Sequence, residues 1–161
     1  MDPRVAPLAE ILDLNTRLYR NCLAGLTDDQ ANARPSDSTN SAAFIAAHLA
    51  DSRFFLLRTL GVNCACPLGR YLDGKRGIAE LETPLPLEEI RAAWSTAADA
   101  LRDRLESLTA TDLAAEATMR FPVTDRTVLG VLTFLVQHDS YHVGQLALLR
   151  KFGGLPAMKY S

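Results

Sequence analysis

An all-α fold, a four-helix bundle with a long crossover between helices 2 and 3, is predicted by three observations. Apolar residues recur at three-and-four spacing in four separate stretches. No stretch alternates for long in the manner of a strand. The connection from Gly61 to Pro86, GVNCACPLGRYLDGKRGIAELETPLP, is far longer than a bundle turn requires.

The first helix is predicted from Pro3 to about Leu23, with Leu8, Ile11, Leu12, Asn15, Leu18, Tyr19 and Cys22 on its inner face. GLTDDQANARPSDSTN then interrupts the pattern with turn formers. Ser38, Thr39, Asn40 and Ser41 offer caps for a second helix that runs to about Leu60 and stops at Gly61. TPLPLEEI opens the third, with proline in the first turn and acids after it. Its stripe is Leu87, Ile90, Trp94, Ala97, Leu101, Leu105 and Leu108. The fourth starts near Asp125 or Arg126 and ends at Phe152, before Gly153, Gly154 and Pro156. Four such helices, about 30 to 40 Å long at 1.5 Å per residue, can bury their stripes only against one another. One domain spanning residues 1–161 accounts for the whole chain.

Composition narrows the function. Apolar residues make up 48% and charged residues 22%, the balance of a globular protein. The net charge of −2 provides no basic stripe for nucleic acid. MDPRVAPLAEILDLN puts acids and a proline where a signal peptide needs a basic start and an unbroken apolar run. No segment has the length of a membrane span. Cys22, Cys64 and Cys66 are odd in number, so a reducing cytoplasm is expected and a disulfide framework is not. Cys64 and Cys66 stand as C-x-C with no second pair, which reads as ordinary reduced loop thiols. Arg70, Lys75 and Arg76 nearby suit either a solvated turn or the reception of an anionic substrate or thiol cofactor.

The chain has three histidines, all in apolar helical stretches. His138 and His142 share a stripe with Val131, Leu135, Leu146 and Leu149, and His48 shares a face with Phe44, Ile45 and Phe55. Taken singly, each is a core histidine hydrogen-bonded to a neighbour. Together they point to a metal. Side chains four apart on a helix have Cβ atoms about 5–6 Å apart, so their nitrogens can converge on one ion at about 2.0–2.1 Å. Desolvating unpartnered imidazoles would cost roughly 1–3 kcal/mol each, and a single ion removes that cost for all three. HDSYH is close to the H-E-x-x-H zinc motif, but no His, Cys, Asp or Glu follows His142 to complete it. The third ligand must come from upstream, where His48 is the natural candidate.

HLADSRFFLLRTLG on the second helix, with HDSYHVGQLALLR on the last, resembles the DinB/YfiT-like superfamily. The specific part is H-x-x-x-H-x-G-Q, and GLTDDQANARP with NSAAFIAAHLA extends the resemblance over nearly the whole chain. The resemblance implies a four-helix bundle with an unusual crossover. It also implies a divalent metal, nickel or zinc first and iron or manganese after them, held by His48, His138 and His142. Homodimers and reactions of low-molecular-weight thiols, of S-transferase or isomerase type, are further implications, with a small-molecule substrate as the partner.

Three neutral ligands leave a divalent charge uncancelled and a coordination position open, as catalytic sites do. Such an ion ionises a bound water or thiol near neutral pH. Gln145 is placed either to orient a ligand or a water or to be a helix amide at the bundle mouth, and Gly144 suggests a close helix approach. Asp51 is placed either to bond a ligand ring or to be a solvated acid. Asp139 and Tyr141 flank the ligands off the main stripe. The residues assign no catalytic side chain. An enzyme of the S-transferase, isomerase or hydrolase type is the first reading, and a non-catalytic metal-binding or assembly module the second.

Overall fold

The computed structural model describes residues 1–74 and 77–160, so Lys75 and Arg76 of the anion-receiving reading lie outside the described residues. Four long helices carry the fold: α1 (Ala6–Leu23), α3 (Ala42–Thr59), α5 (Leu87–Ser107) and α7 (Val128–Phe152). Short helices α2 (Asp28–Asn32), α4 (Gly69–Leu72) and α6 (Ala110–Ala114) occupy the connections. No strand is formed among the described residues.

The helix directions follow from paired contacts. Asn15 donates to Ser140 at 2.9 Å and Arg150 to the Cys22 carbonyl at 3.2 Å, so α1 and α7 run parallel. Arg53 lies over Trp94 and Arg104 donates to the Leu60 carbonyl at 2.7 Å, so α3 and α5 are also parallel. Arg91 bonds the Leu23 carbonyl while Arg102 reaches Asp13, which makes α1 antiparallel to α5. The order is up, down, down, up, with α1 and α3 each packed against both α5 and α7.

This topology explains the length of the crossover. Consecutive helices α3 and α5 point the same way, so the chain must return along the bundle before α5 begins. Leu68 and Leu85 pin the returning segment to the core with no exposed surface. Asn32 of α2 holds its end, donating to the Leu85 carbonyl at 3.0 Å and accepting from the Leu85 amide at 2.9 Å.

Most predicted helix ends are close to the observed ones. Ser41 caps α3 by accepting from the Phe44 amide at 3.1 Å. α1 begins at Ala6 rather than Pro3, and α7 at Val128 rather than Asp125 or Arg126. Asp125 instead takes hydrogen bonds from the Thr127 amide and hydroxyl at 2.9 and 2.7 Å, holding the chain in a turn just ahead of the helix. Ile11 is 40% exposed and leaves the α1 stripe. Among the described residues, a Cβ at Gly144 would meet nothing within 4 Å, so no helix approaches it closely. The close approach is at Gly130, where a Cβ would collide with the Asp125 carbonyl.

Candidate metal centre

The antiparallel contact of α3 with α7 brings all three histidines together. His48 and His138 face one another through Nε2 atoms 3.1 Å apart. The ring centroids of the three pairs lie 5.0, 4.9 and 4.4 Å apart, all edge-to-face. One ligand nitrogen from each ring lies within 4.8 Å of the others, a spacing that small ring rotations bring within reach of a common ion. All three rings are half-buried.

Hydrogen bonding prepares the cluster for this use. His142 Nδ1 donates to Gln145 Oε1 at 2.6 Å, and Gln145 Nε2 donates to the Tyr141 hydroxyl at 3.1 Å. The proton is thereby fixed on Nδ1, and the Nε2 lone pair of His142 is left free to bind. Among the described residues, His138 Nδ1 is buried with no partner, and the facing Nε2 atoms of His48 and His138 share one hydrogen between them. Three neutral nitrogen donors with an orphaned imidazole among them fit a divalent ion better than they fit one another.

Electrostatics agree with this. Burial, then the neighbouring His142 and His48 rings, push the His138 imidazole down to about 4. Burial and His142 lower His48 as well, against the upward pull of the Asp51 carboxylate. Both rings are neutral at pH 7. Free histidine titrates near pH 6.5. Below that value the unfolded chain takes up protons that the folded protein refuses, so stability present above about pH 6.5 falls as the pH drops toward 4. Melting of metal-free protein should come at a lower temperature at about pH 4.5 than at pH 7. His138→Gln should show a shallower decline, and an identical profile for the variant would contradict the assignment.

Asp139 lies off the histidine stripe, as the helix spacing places it, and is buried in the core. It is 2% exposed, as is Arg53, which it meets at 2.9 Å (Nε) and 2.8 Å (Nη2). Burial raises the Asp139 carboxyl and Arg53 opposes the rise. Arg53 also donates to the Thr16 hydroxyl at 2.7 Å and the Leu12 carbonyl at 3.1 Å, and stacks 3.7 Å from the Trp94 ring. One guanidinium thus joins all four long helices, five residues after His48 and against the residue beside His138. Sequence reasoning missed Arg53. The available signal was a pair of opposite charges, Arg53 and Asp139, each set among apolar residues on its own helix.

Asp51 raises the His48 ring against its burial, and burial, with the Asp51 carboxylate adding to it, pushes the Cys66 thiol up to about 11. Cys22 is buried, and Cys64 and Cys66 are half-buried free thiols. Arg70 pairs with Glu89 rather than facing the histidines.

A helical bundle of this direction pattern, with a histidine cluster between its second and last long helices, defines a class of bundle built to present three imidazoles to one point. The chain belongs to the DinB superfamily, whose family model matches residues 11–146. A crystal structure of a DinB-like protein from Bacillus subtilis (YjoA) shares the fold at a TM-score of 0.63 and 16% identity. That similarity covers 98% of this chain and 96% of the other. No curated protein sequence matches the chain.

Proposed function

We propose that this DinB-superfamily protein holds one divalent metal on His48, His138 and His142 and uses it as an enzyme acting on a small molecule. Nickel or zinc is the first choice of metal, with iron or manganese after them. The observation that carries the reading is the convergence of three half-buried imidazoles, one of them already fixed by Gln145 with its outer nitrogen protonated. An ion on three neutral nitrogens would supply a Lewis acid that ionises a low-molecular-weight thiol or water near neutral pH. Gln145 holds the His142 tautomer, Tyr141 holds Gln145, and the half-burial of all three rings leaves a substrate a way in. Access of this kind favours catalysis of the transferase, isomerase or hydrolase type over a closed, purely structural metal site.

The test is a screen of metal-loaded protein against several thiols, each paired with electrophiles, with products read by mass spectrometry. Turnover that needs the ion and is lost with His48→Ala supports the reading. Turnover that survives complete metal removal with the bundle intact overturns it.

On the same reading the protein is a cytoplasmic homodimer that binds neither membrane nor nucleic acid. No helix among the described residues is long and apolar enough to cross a membrane. Tyr141, Leu148 and Phe152 of α7 are 57, 68 and 63% exposed at seven- and four-residue spacing, an apolar outer face that a second copy would cover. Sedimentation should show a dimer at tens of micromolar protein. A monomer at high micromolar concentration would refute it.

A further inference from the structure

Two groups of aromatic residues line the interior of the bundle and its edge. Tyr19, Phe54 and Trp94 are buried in the core, with at most 3% of their surface exposed. Phe55, Phe121 and Phe134 are only half-buried, and their rings form a continuous run that ends at the histidines. Phe55 of α3 meets Phe121 edge-on at 6.0 Å. Phe121 stacks on Phe134 of α7 at 4.8 Å, and Phe134 lies 6.3 Å from the His138 ring. The three rings come from three separate elements, two helices and the segment joining α6 to α7.

That segment is a built loop. Glu116 bridges Thr127, the Ala117 amide donates to the Arg126 carbonyl at 2.9 Å, and the Arg126 side chain donates back to the Phe121 carbonyl at 3.1 Å. Phe121 is thereby held over the other two rings. The carboxylates that act on the cluster from outside it are Asp51 beside His48 and the buried Asp139, which feels His142 and is paired with Arg53. Flat apolar surface on one side and a carboxylate near the ligands disfavour an anion and favour a neutral, ring-bearing group.

We propose that Phe55, Phe121 and Phe134 form a recognition wall for the apolar ring of a neutral substrate whose donor atom faces His48, His138 and His142. The donor end rests on the metal reading above, whereas the wall itself needs no ion. The probes are benzohydroxamate and acetohydroxamate, which share a metal-binding group and differ by the ring. They are titrated calorimetrically into zinc-loaded protein whose zinc content is measured first.

Benzohydroxamate should bind about tenfold more tightly, the scale of one well-placed aromatic contact. Phe121→Ala and the more conservative Phe134→Leu should each cut that preference at least about threefold, with acetohydroxamate affinity and zinc content unchanged and the bundle still folded, at some cost in melting temperature. Equal affinities in the unsubstituted protein, failure of zinc-loaded protein to bind either probe, or a preference that survives both substitutions would overturn the wall. If no zinc is retained, the metal reading alone fails. The wall is then decided on metal-free protein by titrating benzamide and acetamide and following the ring-proton signals of the three phenylalanines. Shifts specific to benzamide support the wall, and equal effects of the two amides refute it.

Discussion

Asp139→Ala should destabilise the metal-free protein by about 3–5 kcal/mol, the scale for removing one partner of a buried ion pair. Asp139 is the single acid of α7, and both it and Arg53 are 2% exposed. Without the carboxylate, the Arg53 guanidinium stays charged inside the bundle with only the Thr16 hydroxyl, the Leu12 carbonyl and the Trp94 face for company. The double change Arg53→Met with Asp139→Leu should recover most of the loss, because it removes both charges together and refills the volume. Chemical denaturation of metal-free samples checks this without interference from ion binding. A loss below about 1 kcal/mol for Asp139→Ala, the range of exposed pairs, would show that the pair is not desolvated in solution.

The pair also marks where sequence reading ran out. The four long helices were legible because each must bury an apolar stripe, and the stripe, the Ser41 cap and the terminal glycines are local signals. Arg53 was not legible because its role depends on which helices are neighbours and on their direction, and neither is encoded locally. Adjacent residues on a helix point about 100° apart, so His138 can face the ligand cluster while Asp139 faces the core. Helix spacing places Asp139 off the histidine stripe but cannot say what lies there. The short helices α2 and α6 were missed for a different reason. Thr27 with Gln30 and Thr109 with Asp112 form capping boxes that a local reading could have found, but segments of five residues show no helical period.

The histidine cluster was the most legible feature of the site, and Gly144 the least. His138 and His142 sit four apart, so their convergence follows from helix geometry alone. The meeting with His48 was inferred from the lack of any other ligand downstream. Gly144 read as a packing glycine, yet it faces open space next to the exposed Tyr141 and Leu148, where packing within one chain offers no neighbour.

His48→Ala should lose nearly all bound metal while leaving the bundle folded. His48 is the sole histidine that α3 supplies to the cluster, and its loss leaves two imidazoles from one helix. Two such ligands bind far less tightly than three, so zinc content after gel filtration should fall from about one ion per chain to near zero. Gln145→Ala should be milder, weakening affinity about 10–100-fold, because it frees the His142 ring without removing a donor. Thermal melts give an independent reading of the same linkage. At a zinc concentration about 1,000 times the dissociation constant, binding stabilises the protein by about 4.1 kcal/mol, and His48→Ala should lose that increment. In the absence of metal the variant should melt no earlier than the unsubstituted protein, since it gives up a half-buried imidazole whose ring nitrogen faces another across 3.1 Å. A variant that keeps its zinc would place the ion away from the histidines. One that unfolds without metal would make His48 a core residue first and a ligand second.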